Sequence, residues 1–234
     1  MTDDRDLEGL NPYDLMDREA ARLDAHFAAL TDDAWEQPSR CDGWSVRDVL
    51  AHLAASEVYN RACLTGTVQD LMAQMGERGV TDIESFNEVG IRDFDGAKPG
   101  EILDTWRERC SANREGFRAR DGEDVDSSVG AYPGRWQAFH LAFELAVHAD
   151  DVYLPVQSGE ANDRLDWQVK FARFALKEMK NDAKTEARAG ATRVQGGGID
   201  VEVPDSEFVA AAAARLPEDT SLAPDVRAYL SVTP

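Results

Sequence analysis

The residues best suited to chemistry lie in one helix-length run, Trp136-Gln137-Ala138-Phe139-His140-Leu141-Ala142-Phe143-Glu144-Leu145-Ala146-Val147-His148. His140, Glu144 and His148 are four positions apart, so in a helix each lies about 40° round from the last, on one face. Phe139, Phe143 and Val147 flank that stripe on one side, Leu141 and Leu145 on the other. A helix buries such flanks, and the stripe is expected to point inward with them. A carboxylate buried beside imidazoles is costly unless something pairs with it, and a metal cation is an economical partner. A hydrogen-bonded His–Glu pair in a bundle core accounts for the same spacing. On this helix alone the two readings stand even.

A third ligand would separate them. The chain has 4 histidines, the other two being His26 and His52. His26 stands between Asp24 and Phe27, which suits a structural or surface role. His52 has Val49, Leu53 and Ala55 around it, at the edge of a helix's core face.

The elements that must carry these residues can be read from spacing. Met16, Ala20, Leu23, Phe27 and Leu30 recur at helical intervals, with Asn11 as cap and Pro12 in the first turn. Pro38-Ser39-Arg40-Cys41-Asp42-Gly43 has the composition of a loop. Trp44-Ser45-Val46-Arg47-Asp48 then opens a helix that carries His52 towards Gly66, with Ser45 and Asp48 spaced as a capping pair. Thr67 to Phe94 reads as helix interrupted by glycines, and Pro99 starts a long helix through Trp106, Cys110 and Phe117. A polar loop from Asp121 to Gly134 leads into the histidine-bearing run. No segment up to Tyr153 reads as a strand.

The expectation is a mainly α protein, a four-helix bundle over 1-155 followed by a small C-terminal α+β domain over 156-234. In the second part an amphipathic helix carries Trp167, Phe171, Phe174 and Met179. Gly196-Gly197-Gly198 then precedes an alternating strand, Ile199 to Val203, and Asp205 caps an alanine-rich helix ending near Arg215-Leu216-Pro217.

The formal charge of -20 over 234 residues argues against nucleic acid and anionic membranes as partners. No N-terminal signal pattern and no bilayer-length apolar run is present. Cys41, Cys63 and Cys110 are odd in number and widely spaced, unlike a disulfide framework. A cytoplasmic location follows as the expectation. Composition leaves the oligomeric state open.

The block from Cys41 to Leu53, Cys-Asp-Gly-Trp-Ser-Val-Arg-Asp-Val-Leu-Ala-His-Leu, closely resembles the opening motif of the mycothiol-dependent maleylpyruvate isomerase family, a branch of the DinB-like metalloenzymes. In that family the Gly-Trp-Ser-Val-Arg-Asp turn starts a helix whose histidine is the first metal ligand, and a later Glu-x-x-x-His pair supplies the other two. Glu144-Leu145-Ala146-Val147-His148 matches that pair, and Asp151 follows where many members have an acidic residue. The resemblance thus implies a DinB-like bundle and the ligand set His52, Glu144 and His148. Asp151 is implied as their support. His140 is outside the carried-over set and either supports the site, faces substrate or packs as a core histidine. Members often end a C-terminal helix in a Gly-Arg pair whose Arg holds an anionic substrate. Ala214-Arg215 is the nearest counterpart, and Arg215 is the candidate contact.

Two His and one Glu leave a coordination position open, as catalytic zinc sites do, and the same donors form the facial triad of non-haem iron enzymes. Zinc is the expected divalent metal. The resemblance implies mycothiol as the low-molecular-weight thiol co-substrate, ionised at the open position to attack a small-molecule electrophile. Maleylpyruvate isomerisation and mycothiol S-transfer both follow from that step. The remaining alternatives are a non-catalytic acidic, metal-containing binding or regulatory protein and a non-haem iron oxygenase.

Overall fold

Asn11 accepts a hydrogen bond from the Tyr13 amide and Pro12 fills the first turn, which starts α1, Pro12–Ala28. In the computed structural model, which describes residues 3–232, a short α2 (Asp32–Trp35) follows, then α3, Val46–Thr65. The Ser45 side chain accepts from the Asp48 amide while the Asp48 carboxylate accepts from the Ser45 amide, a reciprocal cap. Gly66, at φ 71°, closes α3 in the left-handed conformation. The glycine-interrupted stretch is two helices, α4 (Val68–Glu77) and α5 (Ile83–Arg92), and α6 runs Pro99–Ala119. The polar loop contains a feature that hydrophobic spacing does not reveal. Two-residue strands β1 (Asp124–Val125) and β2 (Tyr132–Pro133) pair antiparallel immediately before α7, Gly134–Asp151.

Helices α1, α3, α6 and α7 form a bundle in which α3 packs on α6, and α1 packs on both α7 and α6. Phe27 is central to its core, stacked on Trp35 at 5.6 Å and edge-on to Trp106 at 6.1 Å. Met16, Leu23, Leu50, Ile102, Phe117 and Phe139 are buried around them.

The contact of α5 with α3 is close enough to exclude a methyl group. A Cβ built on Gly90 would lie 2.7 Å from Cβ of Ala55, an atom that cannot rotate away. Gly90→Ala is therefore expected to destabilise the protein by about 1–2 kcal/mol, since overpacking exceeds the helix-propensity gain. Gly76 in α4 meets nothing within 4 Å, so Gly76→Ala is expected to stabilise by up to about 1 kcal/mol. Denaturant midpoints of the two variants on either side of wild type check both signs.

The described chain divides into two compact units, Asn11–Pro155 and a second unit from Val156 onward that also takes in the residues up to Leu10. This differs from the expected division at its N-terminal end. Leu7, in a 3-10 turn at Arg5–Leu7, is buried, and Asp6 pairs with Lys177 at 2.6 Å and Arg173 at 3.4 Å. In this unit α8 (Ala161–Met179) precedes an antiparallel sheet in the order β3 (Lys184–Arg188), β4 (Ala191–Gly196), β5 (Ile199–Pro204). Then come α9 (Asp205–Ala212) and α10 (Pro224–Leu230). Of the three strands only β5 has a spacing signal in the sequence, and α10 has none. Asp205 is the first residue of α9 and not its cap; its carboxylate accepts from the Thr192 hydroxyl at 3.0 Å. The Gly196-Gly197 turn is required by Tyr229 of α10, whose ring lies where a Cβ on either glycine would project. The molecule is thus mainly α with a small C-terminal sheet. Among the described residues no helix is long and apolar enough to cross a membrane.

Candidate metal centre

The loop before α3 is built by its own backbone. Trp44 N–H bonds Cys41 C=O at 3.0 Å, Ser39 N–H bonds Trp44 C=O at 2.9 Å, and Gly43 takes φ 75°, a conformation that glycine adopts without strain. Arg47 donates to the carbonyls of Phe94 and Ala97 at 2.6 and 3.0 Å, tying the start of α3 to the segment between α5 and α6. Ser45, Arg47 and Asp48 therefore fix the entry of α3, and His52 lies less than two turns further on.

Three side chains converge there. Nε2 of His52 is 3.4 Å from Oε1 of Glu144, and the rings of His52 and His148 are 4.8 Å apart at 65°. One donor atom from each of His52, Glu144 and His148 lies within 4.8 Å of the other two. Donors around a tetrahedral zinc at about 2.0–2.1 Å stand about 3.3 Å apart, so modest closure completes such a shell. The donor chemistry fits a divalent cation: two imidazoles and one carboxylate, with both histidines buried. The Trp44 ring lies 5.1 Å from that of His52 and covers it. The Glu144 side chain keeps 32 % of its surface exposed, so the cluster opens on that side.

The charges reinforce one another. Burial pushes the Glu144 carboxyl up, but the His52 imidazole, the charge of His148 and a hydrogen bond from Ser56 hold it below its ordinary value. Burial likewise opposes a charged His148, yet hydrogen bonds with Asp151 and Cys41 outweigh it and raise the imidazole to about 9. Asp151 is fully buried, and its Oδ2 lies 3.0 Å from Nδ1 of His148. That engages one ring nitrogen and leaves Nε2 for the cluster.

His140 is not in the cluster. It is half-buried, and its Nε2 lies 3.2 Å from the Tyr132 hydroxyl. Of the stripe, His148 is buried while His140 and Glu144 are half-buried, and β2 brings Tyr132 over the first turns of α7, where its hydroxyl meets the His140 imidazole. His26 is half-buried beside the backbone of Val152, and burial lowers its pKa. Arg215, half-buried in the C-terminal unit, donates to the Ala213 carbonyl at 3.2 Å. Two residues near the cluster escaped the sequence reading. Ser56 Oγ lies 3.4 Å from Nε2 of His52, and its place one turn after His52 was the available signal. Cys41 Sγ donates to Oδ2 of Asp151 at 3.1 Å and lies 4.0 Å from Nδ1 of His148. It belongs to the motif block, but nothing in the spacing relates it to Asp151. Cys63 and Cys110 are buried core residues, and burial raises the Cys63 thiol to about 11.

Comparison with known proteins gives a consistent pattern. Residues 16–153 match the model of the mycothiol maleylpyruvate isomerase N-terminal domain. A crystal structure of the mycothiol-dependent maleylpyruvate isomerase is similar in fold, with TM-score 0.62 and 16 % identity over 97 % of this chain and 99 % of that one. A crystal structure of a histidine-to-alanine mutant of that enzyme gives TM-score 0.61 and 15 % identity over the same shares. No curated protein sequence matches the chain significantly.

Proposed function

The chain belongs to the mycothiol maleylpyruvate isomerase family, and on that premise we propose that it is a metal-dependent, mycothiol-using enzyme acting on an electrophilic small molecule such as maleylpyruvate. The observation that carries this reading is the convergence of His52, Glu144 and His148 on one point, buried on the histidine side and open beside Glu144.

In this reading those three residues hold a divalent cation, zinc being the one expected. Such a cation supplies an electrophilic position at which a bound thiol loses its proton at neutral pH. The chain's residues do the rest. Asp151 would hold the proton on Nδ1 of His148, so that it is Nε2 that gives up its proton to the cation. Trp44 shields His52 from water on one side, and Ser56 orients the His52–Glu144 pair. The mycothiol sulfur adds to the double bond of the substrate, and the electron pair of that bond moves onto the conjugated carbonyl. The former double bond then rotates as a single bond. Return of the electron pair reforms it in the trans arrangement and expels the thiolate, so the thiol is regenerated.

Arg215 is the proposed contact for an anionic substrate group. Ala214 adopts φ 55°, a conformation that favours glycine. It stands at the position where the family resemblance implies a glycine.

The test is incubation of zinc-loaded protein with mycothiol and maleylpyruvate, read by absorbance for the trans isomer and by mass spectrometry for a thioether. Trans isomer with no net thiol consumption is the expected result. Accumulating thioether without isomer would assign S-transfer, and neither product from any tested electrophile would contradict the reading.

A further inference from the structure

At Nδ1 of His148 a hydrogen-bond chain runs from the motif loop to the end of α7. Cys41 Sγ donates to Oδ2 of Asp151 at 3.1 Å, and the same oxygen lies 3.0 Å from Nδ1 of His148. The backbone follows the same route, with Arg40 N–H donating to the Asp151 carbonyl at 2.9 Å. Both ends of the chain are buried. Cys41, His148 and Asp151 also have donor atoms mutually within 4.8 Å, so the thiol could act as a ligand or as a support. The geometry favours support, because zinc binds a thiolate and the Cys41 thiol directs its proton at the Asp151 carboxylate.

We infer that Cys41 is a positioning residue for His148: its thiol holds the Asp151 carboxylate in the orientation that keeps a proton on Nδ1 and turns Nε2 towards His52 and Glu144. The loop that starts α3, and thereby sets His52, thus also sets the second imidazole. One segment, Ser39 to Ser45, aligns candidate ligands on two helices. This role rests on the metal reading proposed above. Cys41 has no redox part in it.

Zinc affinity measured by chelator competition tests this in wild type, Cys41→Ala and Cys41→Ser. Loss of the supporting group is expected to weaken zinc binding about 10–100-fold in Cys41→Ala, the usual cost of removing a partner behind a ligand. Cys41→Ser, whose hydroxyl donates to the same carboxylate, is expected to stay within about threefold of wild type. The melting temperatures of the metal-free Ala and Ser variants are expected to be alike, which separates positioning from packing. Wild-type affinity in Cys41→Ala would overturn the inference. Equal loss in Cys41→Ser and Cys41→Ala would overturn it too, by making the sulfur a ligand. Should Cys41→Ala fail to fold, the ring nitrogens of His148 in zinc-loaded wild type decide, by nitrogen NMR. Nδ1 protonated with Nε2 ligated is expected, and the reverse contradicts the inference. Failure of wild type to bind zinc at all would overturn the metal reading on which it stands.

Discussion

Glu144→Ala is expected to fold as wild type does and to lose its metal. Glu144 is half-exposed on α7, and alanine is the best helix former, so the substitution removes no core packing; the metal-free protein loses only the attraction between the carboxylate and the imidazoles and should melt slightly below wild type. Its carboxylate is the one anionic donor of the three, and its Oε1 stands 3.4 Å from Nε2 of His52. Removing it leaves two imidazoles and no anionic donor, and affinity should fall more than ~100-fold, beyond the cost of losing a mere support. His148→Ala should behave alike. His140→Ala should leave metal occupancy near wild type, because its imidazole bonds the Tyr132 hydroxyl outside the cluster. Metal content per chain after dialysis against weak chelator reads all three. Full occupancy in Glu144→Ala would remove that residue from the ligand set. Loss in His140→Ala with retention in His148→Ala would invert the assignment.

The second large effect is on turnover. Omitting mycothiol is expected to abolish isomerisation, to below about one per cent of the complete reaction, and glutathione is expected to restore it poorly. The chain has no thiol of its own suited to replace the co-substrate. Burial raises the thiols of Cys63 and Cys110 above the ordinary range, and Cys41 is buried with its proton donated to Asp151. A nucleophilic sulfur must then come from solution. Stopped-assay absorbance with protein dialysed free of small thiols checks this. Full turnover without thiol would contradict the mechanism. Dependence on dioxygen would point to an iron oxygenase with the same donors, and no turnover under any condition to a binding protein.

Much of the bundle was legible because its signals are local. Asn11, Pro12, Ser45, Asp48 and Pro99 sit at helix starts, where their backbone chemistry is useful whatever the tertiary structure. The stripe at four-residue spacing on α7 is legible for the same reason. What spacing could not supply was long-range. The β1–β2 pair depends on a register between Asp124 and Pro133 that no periodicity announces over two residues. Strand β3 is mostly exposed and polar, and β4 buries only Thr192 and Val194, so their alternation is faint in the sequence. The grouping of the first residues with the C-terminal unit depends on Asp6 meeting Arg173 and Lys177 across more than 160 positions. The same limit applies at the site. His52, Glu144, His148 and Asp151 were found by motif, whereas Cys41 meets Asp151 across 110 residues and only the fold brings them together. His140 illustrates the converse: correct spacing on the helix, with a neighbour from another strand deciding where the imidazole goes.

Zinc K-edge X-ray absorption on the zinc-loaded protein, before and after adding mycothiol, tests the central claim most directly. Without thiol the account predicts a shell of nitrogen and oxygen alone, with imidazole scattering from two histidines and no sulfur, since Cys41 is a support. With mycothiol it predicts one sulfur at about 2.3 Å, absent in Glu144→Ala. A sulfur present before any thiol is added would make Cys41 a ligand, and no sulfur at saturating mycothiol would contradict a thiol ionised at this centre.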